Sequence, residues 1–192
     1  MDMPPVILAS ASPRRRDLLQ QLGIEPAAVI SADIDETPQR GELPGPYAVR
    51  MAREKAMAVE WPDDLPSSAV ILAGDTVVAC GRRILPKAET EDEARTCLAL
   101  LSGRRHRVLG GIALRSRDGR LQSRLVKSTV IFKRLSRQDV DEYIATKDWQ
   151  GKAGGYAIQG PAAAYIRHID GSYSNIVGFS LYDISAMLRG IG

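Results

Sequence analysis

Apolar residues fall along the chain in short runs that alternate with helical stripes. Residues 6–9, Val-Ile-Leu-Ala, predict a short buried strand that stops at Ser10-Ala11-Ser12-Pro13. Ser12 suits an N-cap and Pro13 the first helical position. Leu18, Leu19 and Leu22 then recur at helical spacing, and Gly23 ends the helix. A second strand is expected near residues 27–31. A helix should open at Pro44-Gly45-Pro46 and run to about Val59, with Val49, Ala52, Ala56 and Val59 as its stripe. The run 69–73 is the most buried-looking strand, and 77–79 continues it. Thr90 and Glu93 spell a capping box ahead of Ala94, Leu98 and Leu101. Residues 107–115 and 125–132 flank Asp118-Gly119, a strong hairpin signal. Ser136 caps a further helix, with Leu135 and Val140 placed as a hydrophobic staple. A glycine-rich stretch, 151–160, leads to strands near 163–169, and a last helix covers about 181–188. Helices interleave with strands at both ends and hairpins lie between, which predicts a mixed-sheet α/β protein.

Composition narrows the function classes. The chain has 192 residues, enough for one domain, 1–192, with a second lobe at about 88–140. With 44% hydrophobic and 26% charged residues, it is neither disordered, collagenous nor coiled coil. The apolar runs fall far short of the roughly 18 residues of a membrane span. Met1 to Pro5 has no basic region and no long apolar stretch, unlike a secretory signal. Cys80 and Cys97 sit among apolar neighbours and read as buried, reduced thiols of a cytoplasmic protein. Two histidines, His106 and His168, cannot build a zinc site. The net charge of +3 suits an anionic ligand. Aromatics are only 5%, a poor supply of stacking platforms, so small phosphates fit better than a nucleic acid.

Several segments carry candidate chemistry. Arg14, Arg15 and Arg16 occupy the first turn of a helix, where the dipole disfavours cations. An anion bound between the helix start and the arginines, with Ser10 and Ser12 as extra donors, accounts for that; a plain cap with solvated arginines is the alternative. Asp75-Thr76 interrupts an apolar run, where a carboxylate is costly unless paired, metal-bound or at a cleft. Asp75 is either a metal ligand or general base, or a buried carboxylate satisfied by local backbone donors. The acidic run Asp33, Asp35, Glu36 supplies a second carboxylate for Mg²⁺. Lys55, beside its helix's apolar stripe, and Lys87, at the end of a strand-like segment, either reach a phosphate as point charges or snorkel at the surface. Residues 152–160 lack the Gly-Lys-Ser/Thr order of a Walker loop. Their glycines suggest close packing to a ligand, with Gln159 able to read a base edge, or else an ordinary turn. Ser172 and Asn175 are similarly ambiguous.

Together these segments resemble the Maf family of nucleotide pyrophosphatases, first known as septum formation inhibitors. The resemblance rests on 8–15 (Leu-Ala-Ser-Ala-Ser-Pro-Arg-Arg), Asp35-Glu36, 52–56 (Ala-Arg-Glu-Lys-Ala), 75–78 (Asp-Thr-Val-Val), 101–103 (Leu-Ser-Gly), 152–160 and 171–175. It implies a mixed, strongly twisted α/β sheet with flanking helices and two lobes around a central cleft, as in inosine triphosphate pyrophosphatases. It implies hydrolysis of a nucleoside triphosphate to monophosphate and pyrophosphate with Mg²⁺ or Mn²⁺, in a homodimer, with a link to cell-division arrest. By the resemblance, Asp75 is catalytic and holds the metal with Glu36. Ser10, Arg14, Lys55 and Lys87 surround the phosphates. Arg14, Thr76 and Gln159 match the positions that separate subgroups and are similar to the dTTP/UTP subgroup. Three departures stand out: Pro86-Lys87-Ala88 replaces Gly-Lys-Pro, Gly74 stands where Ala is common, and Phe179-Ser180 stands where Leu-Pro is common. The rival readings are an inosine triphosphate pyrophosphatase, a non-enzymatic septation regulator bound to a division protein, and a basic nucleic-acid-binding module. The first family opens with Asn and Lys where this chain has Ser12 and Arg14.

Overall fold

The computed structural model describes residues 3–191; Met1 and Asp2, part of the opening read above as unlike a signal, lie outside it. In chain order the elements are β1 (Val6–Ala9), α1 (Pro13–Gln21), β2 (Ala28–Val29), α2 (Pro44–Ala58), β3 (Val70–Cys80), β4 (Arg83–Leu85), β5 (Lys87–Ala88) and α3 (Glu91–Leu101). There follow β6 (Arg105–Ser116), β7 (Leu121–Phe132), α4 (Arg137–Ala145), β8 (Lys152–Ala153), a 3-10 helix (Pro161–Tyr165), β9 (Ile166–Asp170), α5 (Tyr173–Val177) and α6 (Leu181–Arg189). The main sheet runs β2-β1-β3-β6-β7-β9, with β4 also paired to β3. Its β1 partners are parallel and its β7–β9 ladder antiparallel, so the fold is mixed α/β. A strand covered on both faces needs no polar alternation, and β1 is buried at all four residues.

The chain divides into two compact units. The first takes the chain up to Asp75, Gly110–Val126 and everything from Gly178 on; the second takes Thr76–Leu109 and Lys127–Val177. The stretch 88–140 therefore contributes to both. In the first unit, Ile7, Ala9, Ile71 and Ala73 of the parallel strands pack with Ala52, Ala56 and Val59. The buried face of α2 is Tyr47, Ala48, Met51, Ala52, Lys55 and Ala56, while Val49 is only half-buried. The stripe is thus rotated by about one residue from the predicted one, and that rotation carries Lys55 inside. The small residues let α2 lie close on β6: a Cβ at Gly111 would stand 2.0 Å from the Ala48 carbonyl oxygen.

In the second unit, α3, α4 and the 3-10 helix pack around Leu98, Leu101, Phe132, Tyr143 and Tyr165. The predicted capping box of Thr90 with Glu93 is present, and Ser136 caps α4. The predicted hairpin forms, with Gly119 at φ 88° and longer strands than expected. Residues 163–165 belong to the 3-10 helix rather than a strand, since Pro161 opens a helical turn. Ser172 and Asn175 hold structure. Asn175 is fully buried and its Nδ2 donates to the Val108 carbonyl at 3.2 Å and to Ser128 Oγ at 3.0 Å. Cys97 is buried as expected, whereas Cys80 is half-buried, and both are free thiols. Among the described residues no helix is long and apolar enough to cross a membrane.

Candidate active site

Four charged residues of the first unit lie near one another, Asp75, Lys55, Glu36 and Arg15, and each is delivered by a different local feature. Asp75 lies inside the uninterrupted strand β3 and is 7% exposed. A carboxylate at that depth is destabilising unless a cation meets it. Lys55 does so: its Nζ donates to Asp75 Oδ1 at 2.8 Å and lies 2.7 Å from Glu36 Oε1. One ammonium thus bridges two carboxylates. Lys55 also falls in the last turn of α2, where the helix dipole favours a cation. Its expected surface-snorkelling alternative is excluded by its burial at 8% exposure.

Glu36 comes from the irregular stretch between β2 and α2. Tyr47, buried on α2, donates its hydroxyl to the Glu36 carbonyl oxygen at 2.8 Å. Arg50, one turn on, donates to the Thr37 carbonyl at 3.1 Å and to both Glu42 carboxylate oxygens at 2.7 Å. Burial, with Asp75 and Glu36 nearby, pushes the Tyr47 phenol up to about 12, so it remains a donor at any physiological pH. The other acids of the run play no such part. Asp33 and Asp35 are exposed, and Asp35 accepts from the Thr37 backbone N–H at 2.9 Å.

The arginines at the start of α1 separate by direction. Arg16 is exposed and pairs with Glu25. Arg15 turns inward: Nη1 donates to Ser10 Oγ at 2.9 Å and Nε to the Gly178 carbonyl at 3.2 Å. Burial lowers the Arg15 pKa, opposed by the charge of Asp75. Arg14, the arginine singled out from sequence, is half-buried in the same turn. Ser12 occupies the N-cap without a side-chain cap bond; its carbonyl accepts from the Arg15 N–H at 3.1 Å, while its own N–H donates to Ser10 Oγ at 3.2 Å. Sequence reasoning missed Tyr47, and it named Arg15 only as one of three arginines at the helix start without singling it out. Periodicity carried the signal. Arg15 stands three and four residues ahead of buried Leu18 and Leu19, and Tyr47 eight ahead of Lys55.

Thr76, Lys87 and Gln159 belong to the second unit. Thr76 is half-buried on β3, Lys87 is exposed on β5, and Gln159 is exposed before the 3-10 helix. The departure at Pro86-Lys87-Ala88 is part of a clasp. There β5 pairs with β8, and Gly154 N–H donates to the Pro86 carbonyl at 2.9 Å. The glycines of this stretch approach the protein's own core. At Gly154, φ 71°, a Cβ would meet Val78 Cγ1 at 2.8 Å; at Gly155, φ 69°, it would meet Ala94 Cα at 3.2 Å.

Among the described residues, no three of Asp, Glu, His and Cys gather tightly enough to hold a metal alone. Glu36 and Asp75 are the pair that could share one. They already bracket a single cationic atom with hard oxygens, and Mg²⁺ commonly takes one or two carboxylates and completes its shell with phosphate oxygens and water.

The sequence profile of the Maf-like protein family matches residues 5–191. The chain belongs to the Maf-like family. Similar Maf-like relatives include the dTTP/UTP pyrophosphatase of Paramagnetospirillum magneticum, 58% identical across 99% of this chain and 98% of that protein. The dTTP/UTP pyrophosphatase of Rhodospirillum rubrum is 58% identical across 98% of this chain and 88% of its own. Among solved structures, a HAM1 protein from Coxiella burnetii shares the Maf-like chain's fold, with a TM-score of 0.50, 18% identity, and coverage of 98% of this chain and 100% of that one.

Proposed function

We propose that this Maf-like chain is a nucleoside triphosphate pyrophosphatase that hydrolyses dTTP and UTP to the monophosphate and pyrophosphate. The observation that carries the reaction is the buried Asp75 held by Lys55 beside Glu36, with Arg15 close enough to feel its charge. Relatives named for dTTP and UTP at 58% identity over nearly the whole chain support the substrate class.

Asp75 is the base in this reading. It orients a water at the α–β linkage and takes a proton as the oxygen attacks phosphorus; pyrophosphate leaves with the bridging oxygen. Lys55 and Arg15 set fixed positive charge where negative charge develops on the phosphates, and the α1 N–H groups add to it. Arg14, Ser10 and Lys87 serve the phosphates, and Thr76 and Gln159 the base, as the family resemblance implies. Glu36 and Asp75 would hold Mg²⁺ or Mn²⁺. When bound, the divalent cation supplies charge neutralisation of the phosphate oxygens. Cytoplasmic nucleotides and a homodimer belong to the same reading, the second checked by sedimentation.

The test is pyrophosphate release by the purified protein across pyrimidine and purine triphosphates with Mg²⁺ or Mn²⁺. Release from dTTP and UTP, lost in Asp75→Asn, is the expected result. A folded protein that cleaves nothing refutes the enzyme reading. Cleavage confined to purines refutes the assignment of Thr76 and Gln159.

A further inference from the structure

We propose that Phe179 is a positioning residue for Arg15, seated there because position 74 carries no side chain. The proposal rests on the reading above only in taking Arg15 as a phosphate-binding group. The guanidinium carbon of Arg15 lies 5.1 Å from the centroid of the Phe179 ring, which is 1% exposed. On its edge, the same guanidinium is held by Ser10 Oγ and the Gly178 carbonyl. The guanidinium is thus held by two oxygens and by an aromatic face. Such a face attracts a desolvated cation without competing for its N–H donors.

The ring's own seat is the backbone of β3. A Cβ on Gly74 would stand 2.3 Å from Phe179 Cε1 and 3.1 Å from Cδ1. No real Cβ approaches so closely, so an alanine at 74 and a phenylalanine at 179 cannot share this arrangement. The gap beyond is closed as well, because the Gly111 carbonyl oxygen lies 3.0 Å from the same point. Gly178 tightens the other side: its Cβ would be 3.3 Å from Arg15 Cγ. The two departures noted at 74 and 179 are therefore one exchange of volume. Its consequence is that Arg15 is registered, through a rigid ring, against the residue next to Asp75. A branched aliphatic chain at 179 fills space but offers the guanidinium no π face.

The test uses the full chain with Gly74→Ala, Phe179→Leu and the double variant, measuring thermal unfolding and the affinity for inorganic triphosphate in EDTA. Gly74→Ala alone should lower Tm, because its methyl and the ring collide. The double variant should be more stable than the sum of the singles predicts, since the smaller side chain makes room for the methyl. It should still bind inorganic triphosphate about tenfold more weakly than the parent chain, because the ring face is gone. Additive Tm changes, double-variant binding within twofold of the parent, or no triphosphate binding by the parent would each overturn the proposal. Hydrolysis of dTTP by the parent chain is read separately. Its absence, with the binding difference intact, removes the enzyme reading and leaves the positioning role. Hydrolysis without a binding difference removes the positioning role alone.

Discussion

Lys55 joins two carboxylates that would otherwise repel each other, and the consequences at the residue scale differ for each partner. Asp75→Asn keeps the shape and lets Lys55 retain Glu36. It should leave Tm within a few degrees and lower kcat at least about 100-fold, the usual contribution of a general base. Lys55→Met keeps the volume and strands Asp75 without its ammonium. Removing one member of a buried pair costs about 3–5 kcal/mol, so this variant should lose both stability and activity. Denaturant melts paired with pyrophosphate release separate the two effects. A Lys55→Met variant that melts with the parent chain would show that the bridge contributes nothing to folding.

Elements matter because Glu36 lies on no element of its own. The stretch before α2 is held by the Tyr47 hydroxyl and by Arg50 from that helix, so α2 sets both Lys55 and Glu36. Tyr47→Phe removes one hydrogen bond, worth about 1 kcal/mol. The stability change should be small, while the Mg²⁺ concentration for half-maximal activity should rise several-fold. An unchanged metal titration would show that Glu36 does not need the strap. A contrasting control is Thr90→Ala in the second unit. It breaks the observed capping box and should cost about 1 kcal/mol by urea unfolding, with kcat unchanged.

At the scale of the whole molecule, one contribution to the acid decline of stability comes from inside the second unit. His106 is 1% exposed, edge-on to Phe132 and Tyr156, with Nε2 2.7 Å from the Tyr156 hydroxyl. Burial pushes its pKa down to about 4 from an ordinary value near 6.5. Above pH 6.5 it is neutral in both states and stability is complete. Between 6.5 and 4 the unfolded chain takes up a proton that the folded chain refuses, so stability falls by roughly 3 kcal/mol in total. Below 4 this contribution is flat. Asp139, lowered to about 2 first by its hydrogen bond from Lys133, acts only at lower pH. His106→Gln should therefore flatten the decline between pH 6.5 and 4, and an unaltered pH profile would rule out His106 as its source.

Local chemistry was legible in the chain alone. The buried run 6–9, Pro13 after Ser12, the Thr90–Glu93 box and Asp118-Gly119 each fix an element through caps, φ preferences or apolar spacing, which depend on near neighbours. So was the suspicion attached to Asp75, because a carboxylate within an apolar strand has few reasons to be there. What the sequence could not decide was direction and partnership. Which of three successive arginines turns inward depends on the face α1 buries, and that face places Arg15 against Ser10 while Arg16 reaches Glu25. The rotation of α2 that buries Lys55 follows from how closely Ala48 lies on Gly111, and the clasp between β5 and β8 from pairing of residues at least 64 positions apart in the chain. Contacts between residues distant in sequence arise only once the chain has closed its loops. The spacing of residues therefore names the charged groups, and the packing of α1 and α2 on the sheet decides which of them meet.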